Sequence, residues 1–278
     1  MRTSLIITTY NWPEALELTL ASVARQSLPP DEVVVADDGS GPATLTVIER
    51  WRQRLNLPLR HVWQADEGFR LARSRNRALA AASMDYIVLV DGDMVLHRDF
   101  VRDHVACARQ DCFIQGARPQ LSPEVTQRLL NGERMPLGWW TPGLQRRLYA
   151  WRNLAASRMS SRVKNALGGI QGCNQSFWRE HALRVNGYDE RFDGWGPEDR
   201  EFAARLLHIG VSRNYVRHRA IAFHLHHRTR APADGVNPLD KLLQETLAAR
   251  TIRCDQGIDA PSRPFDHGGD AVGGRPAA

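Results

Sequence analysis

Residues 86–94 read YIVLVDGDM, so that five apolar residues lead directly into two carboxylates separated by one glycine. A short apolar run rich in β-branched residues predicts a strand that is buried on both faces, as in parallel sheets. Ligands of open α/β sheets bind beyond the carboxyl ends of such strands. Asp91 and Asp93 are therefore predicted at a ligand-binding edge, where paired carboxylates can share Mg²⁺ or Mn²⁺. A turn with two surface carboxylates is the alternative for a DxD pair alone.

Strand and helix patterns alternate along the first hundred residues. Strands are predicted at 4–8, 32–36, 59–62 and 86–90, and helices at 12–26, 44–55 and 70–82. This alternation predicts an α/β fold with a mostly parallel central sheet flanked by helices. We divide the chain into 1–118, 119–168, 169–253 and 254–278. A last helix is predicted at 239–253, and the polar final part, rich in Gly and Pro, is expected to be disordered.

The composition is that of a globular protein, with 42% apolar and 24% charged residues among 278. It excludes a wholly disordered, collagen-like or coiled-coil chain. The net charge is +6, and its positive part is mostly Arg, a side chain suited to phosphate. Charge alone leaves phosphate-bearing small molecules, a membrane surface and nucleic acid open. We expect no nucleic-acid partner, because acidic clusters at the predicted strand ends would repel its phosphates.

The four cysteines, at positions 107, 112, 173 and 254, are too sparse for a disulfide framework. No CxxC pair is present, which argues against a structural zinc site. The first residues do not resemble a signal peptide, and no apolar run is long enough to span a membrane. The expected location is therefore the cytoplasm.

Two further clusters follow early strands. The stretch DDGS at 37–40 ends the second predicted strand, and Asp38 there can accept from a base or a ribose hydroxyl. Asp-Gly is also ordinary turn chemistry. Arg70, Arg73 and Arg77 begin the third predicted helix at spacings of three and four. They form either a phosphate site at a helix start or a solvated basic stripe.

The stretch GWGPED at 194–199 combines a tight loop, one large aromatic and two carboxylates just before a predicted helix. Carboxylates at a helix start also suit its dipole, which is the ordinary explanation of Glu198 and Asp199. The functional interpretation is a general base within reach of an attacking hydroxyl. The Trp195 ring beside it would pack against the apolar face of a sugar.

The stretch AFHLHH at 222–227 offers three histidines after an apolar run. On a strand, His224 and His226 would share one face and His227 would lie on the other. A neutral imidazole could complete a metal site begun by two carboxylates. The alternative for any one of them is a partly buried histidine with an ordinary hydrogen bond.

Residues 119–168 are rich in Trp, Tyr and Arg and are predicted to leave the sheet, with helix in their second half. Residues 139–164 could form an amphipathic surface that meets anionic lipid or a lipid-linked acceptor. This would make the protein peripheral on the inner face of a membrane. An ordinary helical excursion with a solvated basic face is the alternative.

In this order the motifs resemble those of family 2 glycosyltransferases of the GT-A fold. The likeness is to the bacterial chondroitin-polymerase type, whose later half resembles animal β-1,4-galactosyltransferases. The likeness does not extend to the stretch around 119–168. The matching stretches are TTYNWP at 8–13, ADDGS at 36–40, DEGFRLARSRNRAL at 66–79, VLVDGDM at 88–94, GCNQSFWRE at 172–180, VNGYDERFDGWGPEDREFAARL at 185–206 and AFHLHH at 222–227.

The resemblance implies a nucleotide-sugar donor, most often a UDP-sugar, and a divalent metal, Mn²⁺ or Mg²⁺. It makes 1–118 the nucleotide-sugar-binding half and 169–253 the acceptor-binding and catalytic half. The implied donor contacts are Thr8, Tyr10, Asp38, Arg70, Arg75, Asp91 and Asn174. The implied metal ligands are Asp93, Asp91 and one histidine, His224 or the nearby His226.

The resemblance also implies an inverting reaction, in which Asp199 takes the proton of an acceptor hydroxyl that attacks the anomeric carbon. Glu198 would bind sugar hydroxyls and Trp195 would carry the acceptor, a glycan or glycolipid of cell-surface polysaccharide or lipopolysaccharide. Pro197 departs from the family, which commonly has a second glycine there. A catalytically inactive nucleotide-sugar-binding module is the alternative function. Nucleotidyl transfer is disfavoured because no Gly-rich phosphate loop follows the first strand.

Overall fold

The computed structural model describes residues 1–228 and 237–260, which form an eight-stranded sheet, a two-stranded sheet and flanking helices. The strands are β1 (Thr3–Thr9), β2 (Glu32–Asp37), β3 (Leu59–Trp63), β4 (Tyr86–Asp91), β5 (Met94–Leu96), β6 (Cys112–Gln115), β7 (Arg162–Val163), β8 (Asn174–Trp178), β9 (Ser212–Tyr215) and β10 (Ala222–His224). The helices are α1 (Pro13–Val23), α2 (Pro42–Arg54), α3 (Leu71–Ala81), α4 (Phe100–Cys107), α5 (Pro123–Leu130), α6 (Leu154–Ser160), α7 (Arg179–Arg184), α8 (Glu198–His208) and α9 (Asp240–Ala249), with a 3₁₀ turn at Arg147–Ala150.

The large sheet has the order β3-β2-β1-β4-β8-β6-β9-β7. Its first four strands are parallel, so their carboxyl ends meet at one edge. Strand β8 is antiparallel to β4 and β6, β6 is parallel to β9, and β7 is antiparallel to β9. The predicted α/β fold with a mostly parallel central sheet is confirmed.

Both faces of the large sheet are covered, because alternate residues of each strand point to opposite sides. In β1, Leu5 and Ile7 belong to the core that contains residues of α1 and α2, whereas Ile6 belongs to the core that contains residues of α3 and α8. All three are fully buried. This double burial explains why the central strands read as continuous apolar runs.

The two-stranded sheet pairs β5 with β10 in antiparallel register, so that His224 lies opposite Met94. Met94 directly follows Asp93 in the chain, so this pairing delivers the end of β10 to the second carboxylate of the DGD stretch. A third core cluster, which includes Leu121 and Phe223, packs this sheet against α5.

Two sequence predictions differ from the structure. Residues 119–168 have the predicted helix in their second half, α6, but they also contain α5 in the first half, and β7 returns the chain to the large sheet. The predicted last helix ends at Ala249. Residues 254–260 are not a disordered tail, because Cys254 is buried and Ile258 packs against the core; 261–278 lie outside the described residues. Within the described ranges, no helix has the length and apolar character needed to cross a membrane.

Candidate functional site

The carboxyl ends of β1 and β4 are joined at one point of the sheet edge. Thr8 Oγ1 donates to Asp91 Oδ1 over 2.8 Å, and the backbone N–H of Gly92 donates to the carbonyl of Thr8 over 2.6 Å. A Cβ atom on Gly92 would lie 2.7 Å from that carbonyl oxygen. The glycine therefore lets the DGD turn lie close to β1, with Asp91 aimed along the sheet edge.

A cleft of about 250 Å³ lies beside β1 and β2, lined by Tyr10, Asp38, Gly68 and Phe69. The Asp38 carboxylate accepts from the Arg70 backbone N–H over 2.9 Å and from the side-chain amide of Gln64. Burial raises the pKa of Asp38 to about 6, although these hydrogen bonds oppose the shift. Two of the predicted donor contacts, Tyr10 and Asp38, therefore line one cleft, and the backbone of a third, Arg70, holds Asp38 in place.

The arginines at the start of α3 are not a solvated stripe. Arg70 and Arg73 are buried, and Arg77 is half-buried. Arg70 pairs with Glu67 over 2.5 Å and donates to the carbonyl of Ala65. A buried guanidinium requires acceptors around it, and each acceptor reduces what is left for a phosphate.

Arg75 lies at the centre of the site. Its Nη1 is 2.8 Å from Glu198 Oε1, its Nη2 is 3.4 Å from Asp91 Oδ1, and its guanidinium lies 5.1 Å from the centre of the Tyr188 ring. A Cβ atom on Gly172 would lie 2.7 Å from Nη2, so any larger residue there would displace the guanidinium. The resemblance implies a donor contact for Arg75, and the structure shows its guanidinium joining the carboxylate at the end of β4 to the first residue of α8.

Glu198 and Asp199 form the first turn of α8. Asp199 Oδ2 accepts from the Gly172 backbone N–H over 2.7 Å, which fixes one carboxylate oxygen. Burial raises the pKa of Glu198 to about 7 even though Arg75 lowers it, and burial raises the pKa of Asp199 as well. Glu198 can therefore hold a proton near neutral pH, and Asp199 binds a proton more tightly than an ordinary carboxylate.

Trp195 lies on the loop before this helix and is 45% exposed. Its carbonyl accepts from the side-chain amide of Asn237 over 2.8 Å. Gly194 has φ +110°, and its N–H donates to the carbonyl of Phe69 over 2.8 Å, which ties the loop to the cleft. The loop therefore presents a large aromatic face to solvent next to Glu198.

A second group of side chains joins the end of β10 to the DGD turn. Asp93 Oδ2 lies 3.4 Å from His224 Nε2 and 3.1 Å from His227 Nε2, and the two Nε2 atoms are 3.3 Å apart. One ligand atom from each residue lies within 4.8 Å of the others. Burial would raise the pKa of Asp93, but hydrogen bonds from both histidines hold it below its ordinary value.

This group fits a divalent cation. Asp93 Oδ1 is buried and has no hydrogen-bond partner among the described residues, so one carboxylate oxygen is left for another ligand. One carboxylate and two imidazoles suit Mn²⁺ better than Mg²⁺, which prefers oxygen ligands alone. These three side chains could therefore hold the metal that the sequence predicts.

Two of the predicted metal ligands are not in this group. His226 is exposed, and its backbone N–H donates to Thr126 Oγ1 over 2.9 Å. Strand β10 ends at His224, so alternation between faces does not extend to His227. His227 is the residue that sequence reasoning missed; a spacing of three between His224 and His227 was the available signal. Asp91 instead contacts Thr8 and Arg75.

Asn174 is not available as a side-chain donor contact. It is fully buried; Oδ1 faces His104 Nε2 at 3.0 Å, and Nδ2 donates to the carbonyls of Ala117 and Ala220. With both amide atoms engaged inside the protein, the side chain holds β8 to its neighbours. Its effect on a donor is indirect, through the position of the strand.

Two family models match this chain. The model described as glycosyl transferase family 2 matches residues 4–181, and the model described as the N-terminal domain of galactosyltransferase matches residues 152–228. Together they also cover the segment 119–168, which the motif comparison had left without a counterpart.

Curated relatives support the same family. Hyaluronan synthase of Pasteurella multocida is 30% identical over 229 residues, which are 74% of this chain and 23% of that protein. Chondroitin synthase of Escherichia coli is 28% identical over 226 residues, 74% of this chain and 32% of that protein. Validoxylamine A glucosyltransferase of Streptomyces hygroscopicus subsp. limoneus is 29% identical over 229 residues, 75% of this chain and 48% of that protein. The chain thus spans less than half the length of these relatives.

Solved structures share the fold. Residues 1–349 of Staphylococcus aureus TarS in complex with UDP align with a TM-score of 0.62 and 19% identity over 92% of this chain and 67% of that one. The mannosyltransferase PcManGT from Pyrobaculum calidifontis, in complex with GDP-Man and Mn²⁺, aligns with a TM-score of 0.54 and 21% identity over 84% of this chain and 58% of that one. Because the family 2 model matches more than half of its residues, the chain belongs to glycosyl transferase family 2.

Proposed function

We propose that this protein is an inverting, metal-dependent glycosyltransferase that moves a sugar from a UDP-sugar to a hydroxyl of a glycan or glycolipid acceptor. The observation that carries the proposal is the position of Arg75, which joins Asp91 on the donor side to Glu198 on the acceptor side. Family membership supports the reaction class, and cell-surface polysaccharide or lipopolysaccharide is the proposed destination of the sugar.

The proposed donor site begins in the cleft beside β1 and β2. The uracil and ribose would lie against Tyr10, Asp38 and Thr8, whose side chains face this cleft or the adjoining sheet edge. Staphylococcus aureus TarS was solved with UDP and with UDP-GlcNAc, which supports UDP as the first nucleotide to test. Arg70, whose guanidinium now pairs with Glu67, would turn to the diphosphate only by giving up that pair.

Asp93, His224 and His227 are the proposed ligands of a divalent cation, with Mn²⁺ favoured by the two imidazoles. When bound, such a cation offsets the charge that develops on the departing diphosphate. The complex of the Pyrobaculum calidifontis enzyme contains Mn²⁺, which supports the same choice.

Asp199 is the proposed base. One of its oxygens is held by the Gly172 N–H, which would fix the carboxylate in place for the proton transfer. The raised pKa of Asp199 makes it a better proton acceptor than an ordinary carboxylate. The hydroxyl, deprotonated by Asp199, attacks the anomeric carbon on the face opposite the diphosphate, so an α-linked donor yields a β-linkage. Glu198 and Trp195 would hold the acceptor sugar by hydrogen bonds and ring packing.

An inactive nucleotide-sugar-binding module is the alternative function. It needs the cleft beside Asp38 but not the Asp93–His224–His227 group or the carboxylates of α8. Both groups are present, and a buried Arg75 holds one of them in place. The transferase proposal accounts for all of these groups, and the binding-module alternative leaves two of them without a role.

Calorimetric titration of UDP with Mn²⁺ or with EDTA tests the proposal. Wild type, Asp93→Asn, Asp199→Asn and the exposed control Asp111→Asn would be compared, with UDP release from a panel of UDP-sugars as the activity readout. We expect UDP affinity to fall at least tenfold with EDTA and in Asp93→Asn. We expect Asp199→Asn to bind UDP normally but to lose about 10²- to 10⁴-fold in turnover.

The possible results distinguish the transferase from the binding module and test the metal site and the base separately. Normal UDP binding without turnover in wild type over the whole panel would favour the binding module. UDP binding that ignores both EDTA and Asp93→Asn would refute the metal site. Unchanged turnover in Asp199→Asn would refute the assignment of the base.

A further inference from the structure

One continuous part of the chain lacks acidic residues altogether. From residue 134 to residue 179 there is no Asp or Glu, although eight Arg or Lys residues occur. Six of these eight are exposed, and none of the six forms an ion pair with another described residue; they are Arg134, Arg146, Arg147, Arg158, Arg162 and Lys164. The rest of the chain holds slightly more acidic than basic residues, so this segment accounts for the net positive charge.

The same segment holds most of the exposed apolar side chains. Seven of the twelve large hydrophobic residues that are exposed in the described part of the chain fall within 139–163: Trp139, Trp140, Leu148, Trp151, Leu154, Met159 and Val163. Met159 is 89% exposed and Leu148 is 69% exposed. Scattered single exposures need no explanation, but a concentration in one segment indicates a surface that is covered in use.

The exposure does not come from a loose loop. Leu144 and Ala150 are buried in the third core cluster, and the backbone of Gln145 pairs with that of Gln120 in both directions. Arg152 Nη2 lies 2.7 Å from the buried carboxylate of Asp103. The segment is therefore fixed to the body of the protein while its apolar and basic side chains point outward.

We propose that residues 139–164, the basic–apolar surface, bind an anionic phospholipid membrane. Exposed Arg and Lys supply attraction to anionic headgroups, and Trp side chains favour the headgroup boundary. A soluble anionic glycan would use the charges and the aromatic rings, but it offers nothing apolar to Met159 and Leu148. The aliphatic residues thus favour a lipid surface over a polysaccharide.

This surface lies close to the candidate active site in the fold. Gln120 forms bridges both to Gln145 in the basic–apolar surface and to His224 at the end of β10. The backbone of one residue, Gln120, thus links the basic–apolar surface to His224, one of the proposed metal ligands. The geometry suits a hydroxyl carried on a lipid-linked acceptor, although the membrane contact itself stands independently of the proposed reaction.

Co-sedimentation with vesicles of phosphatidylcholine, with and without phosphatidylglycerol, tests the proposal on the full chain. We expect binding to be at least about tenfold tighter on the anionic vesicles and to weaken as salt is raised. Trp139→Ala with Trp140→Ala, and Arg158→Glu with Arg162→Glu, should each weaken binding at least about fivefold. The control is Arg25→Glu with Arg98→Glu, which changes the net charge equally at exposed positions outside the surface.

Four outcomes would overturn the proposal. They are absence of binding, equal binding to neutral and anionic vesicles, an equal loss in the control pair, and binding to a soluble anionic polysaccharide in preference to vesicles. Circular dichroism and UDP titration of each variant would show that the fold and the donor cleft are intact. Vesicle binding requires no turnover, so a failed transferase assay leaves this test unaffected.

Discussion

Arg75→Met is the substitution that most directly tests how the site is held together. Methionine matches much of the volume of the arginine stem but removes the cation between Glu198 and Asp91. Arg75 is 2% exposed and Glu198 is 8% exposed, so neither charge can turn to water without moving the backbone. We expect a large loss of stability because a buried carboxylate is left without its partner.

The magnitude follows from the distances. Two unit charges about 4 Å apart at an effective dielectric constant near 20 attract by about 4 kcal/mol. Glu198 can escape part of the penalty by protonation, because burial raises its pKa to about 7 even beside Arg75. We therefore expect Arg75→Met to reduce the free energy of unfolding by about 3 kcal/mol, the lower end for a broken buried pair.

Urea denaturation measures the free energy of unfolding of wild type, Arg75→Met, Glu198→Gln and the double variant. These four values form a double-mutant cycle. Glu198→Gln removes the charge but keeps the shape, so Arg75→Met should cost about 2 kcal/mol less in that background. The matched control is Arg109→Met, which removes the cation of the exposed pair with Asp111 and should leave stability unchanged within error. Additive losses in the cycle, or an effect of Arg75→Met no larger than that of the control, would refute the argument.

Three further predictions concern the same site. His227→Ala should weaken Mn²⁺ binding at least about tenfold, whereas His226→Ala should leave Mn²⁺ binding unchanged. Electron paramagnetic resonance measures both affinities, and equal effects of the two substitutions would contradict the proposed metal ligands. Because burial raises the pKa of Glu198 from 4.5 to about 7, the folded state binds the proton more tightly. Stability should therefore fall as pH rises from about 4.5 to 7, and Glu198→Gln should flatten that dependence in urea melts. Trp195→Ala should raise the acceptor KM without changing UDP affinity; a parallel loss of UDP binding would place the ring in the donor site instead.

The fold was predictable because its central strands carry the signal in their own residues. Within the predicted strands at 4–8, 32–36 and 86–90, the apolar residues at 5–7, 33–36 and 86–90 are consecutive, and a strand needs a continuous apolar run only when both of its faces are buried. The ligand-binding edge of the sheet was predictable by the same argument, because acidic stretches come directly after the predicted strands at 32–36 and 86–90. The structure extends these strands by one or two residues without changing their order.

The contacts within the site were less predictable, because they join residues far apart in the chain. Arg75 and Glu198 are separated by 123 positions, and no local pattern distinguishes an arginine that pairs with carboxylates from one that awaits phosphate. His227 was missed for a different reason. Strand alternation was extended past His224, whereas the strand ends there and the chain turns back toward Asp93.

The charge balance of the site gives distinct roles to Arg75 and to the proposed cation. Asp91, Asp93, Glu198 and Asp199 lie near one another, and Arg75 is the cation that the structure pairs with two of them. Even with Glu198 partly protonated, these four carboxylates outnumber the one guanidinium that pairs with them, so their charge disfavours the diphosphate of a nucleotide sugar. A divalent cation bound by Asp93, His224 and His227 would offset this negative charge on the donor side alone. Arg75 would meanwhile keep the carboxylates of α8 in place, so that Asp199 remains a base beside an anionic donor.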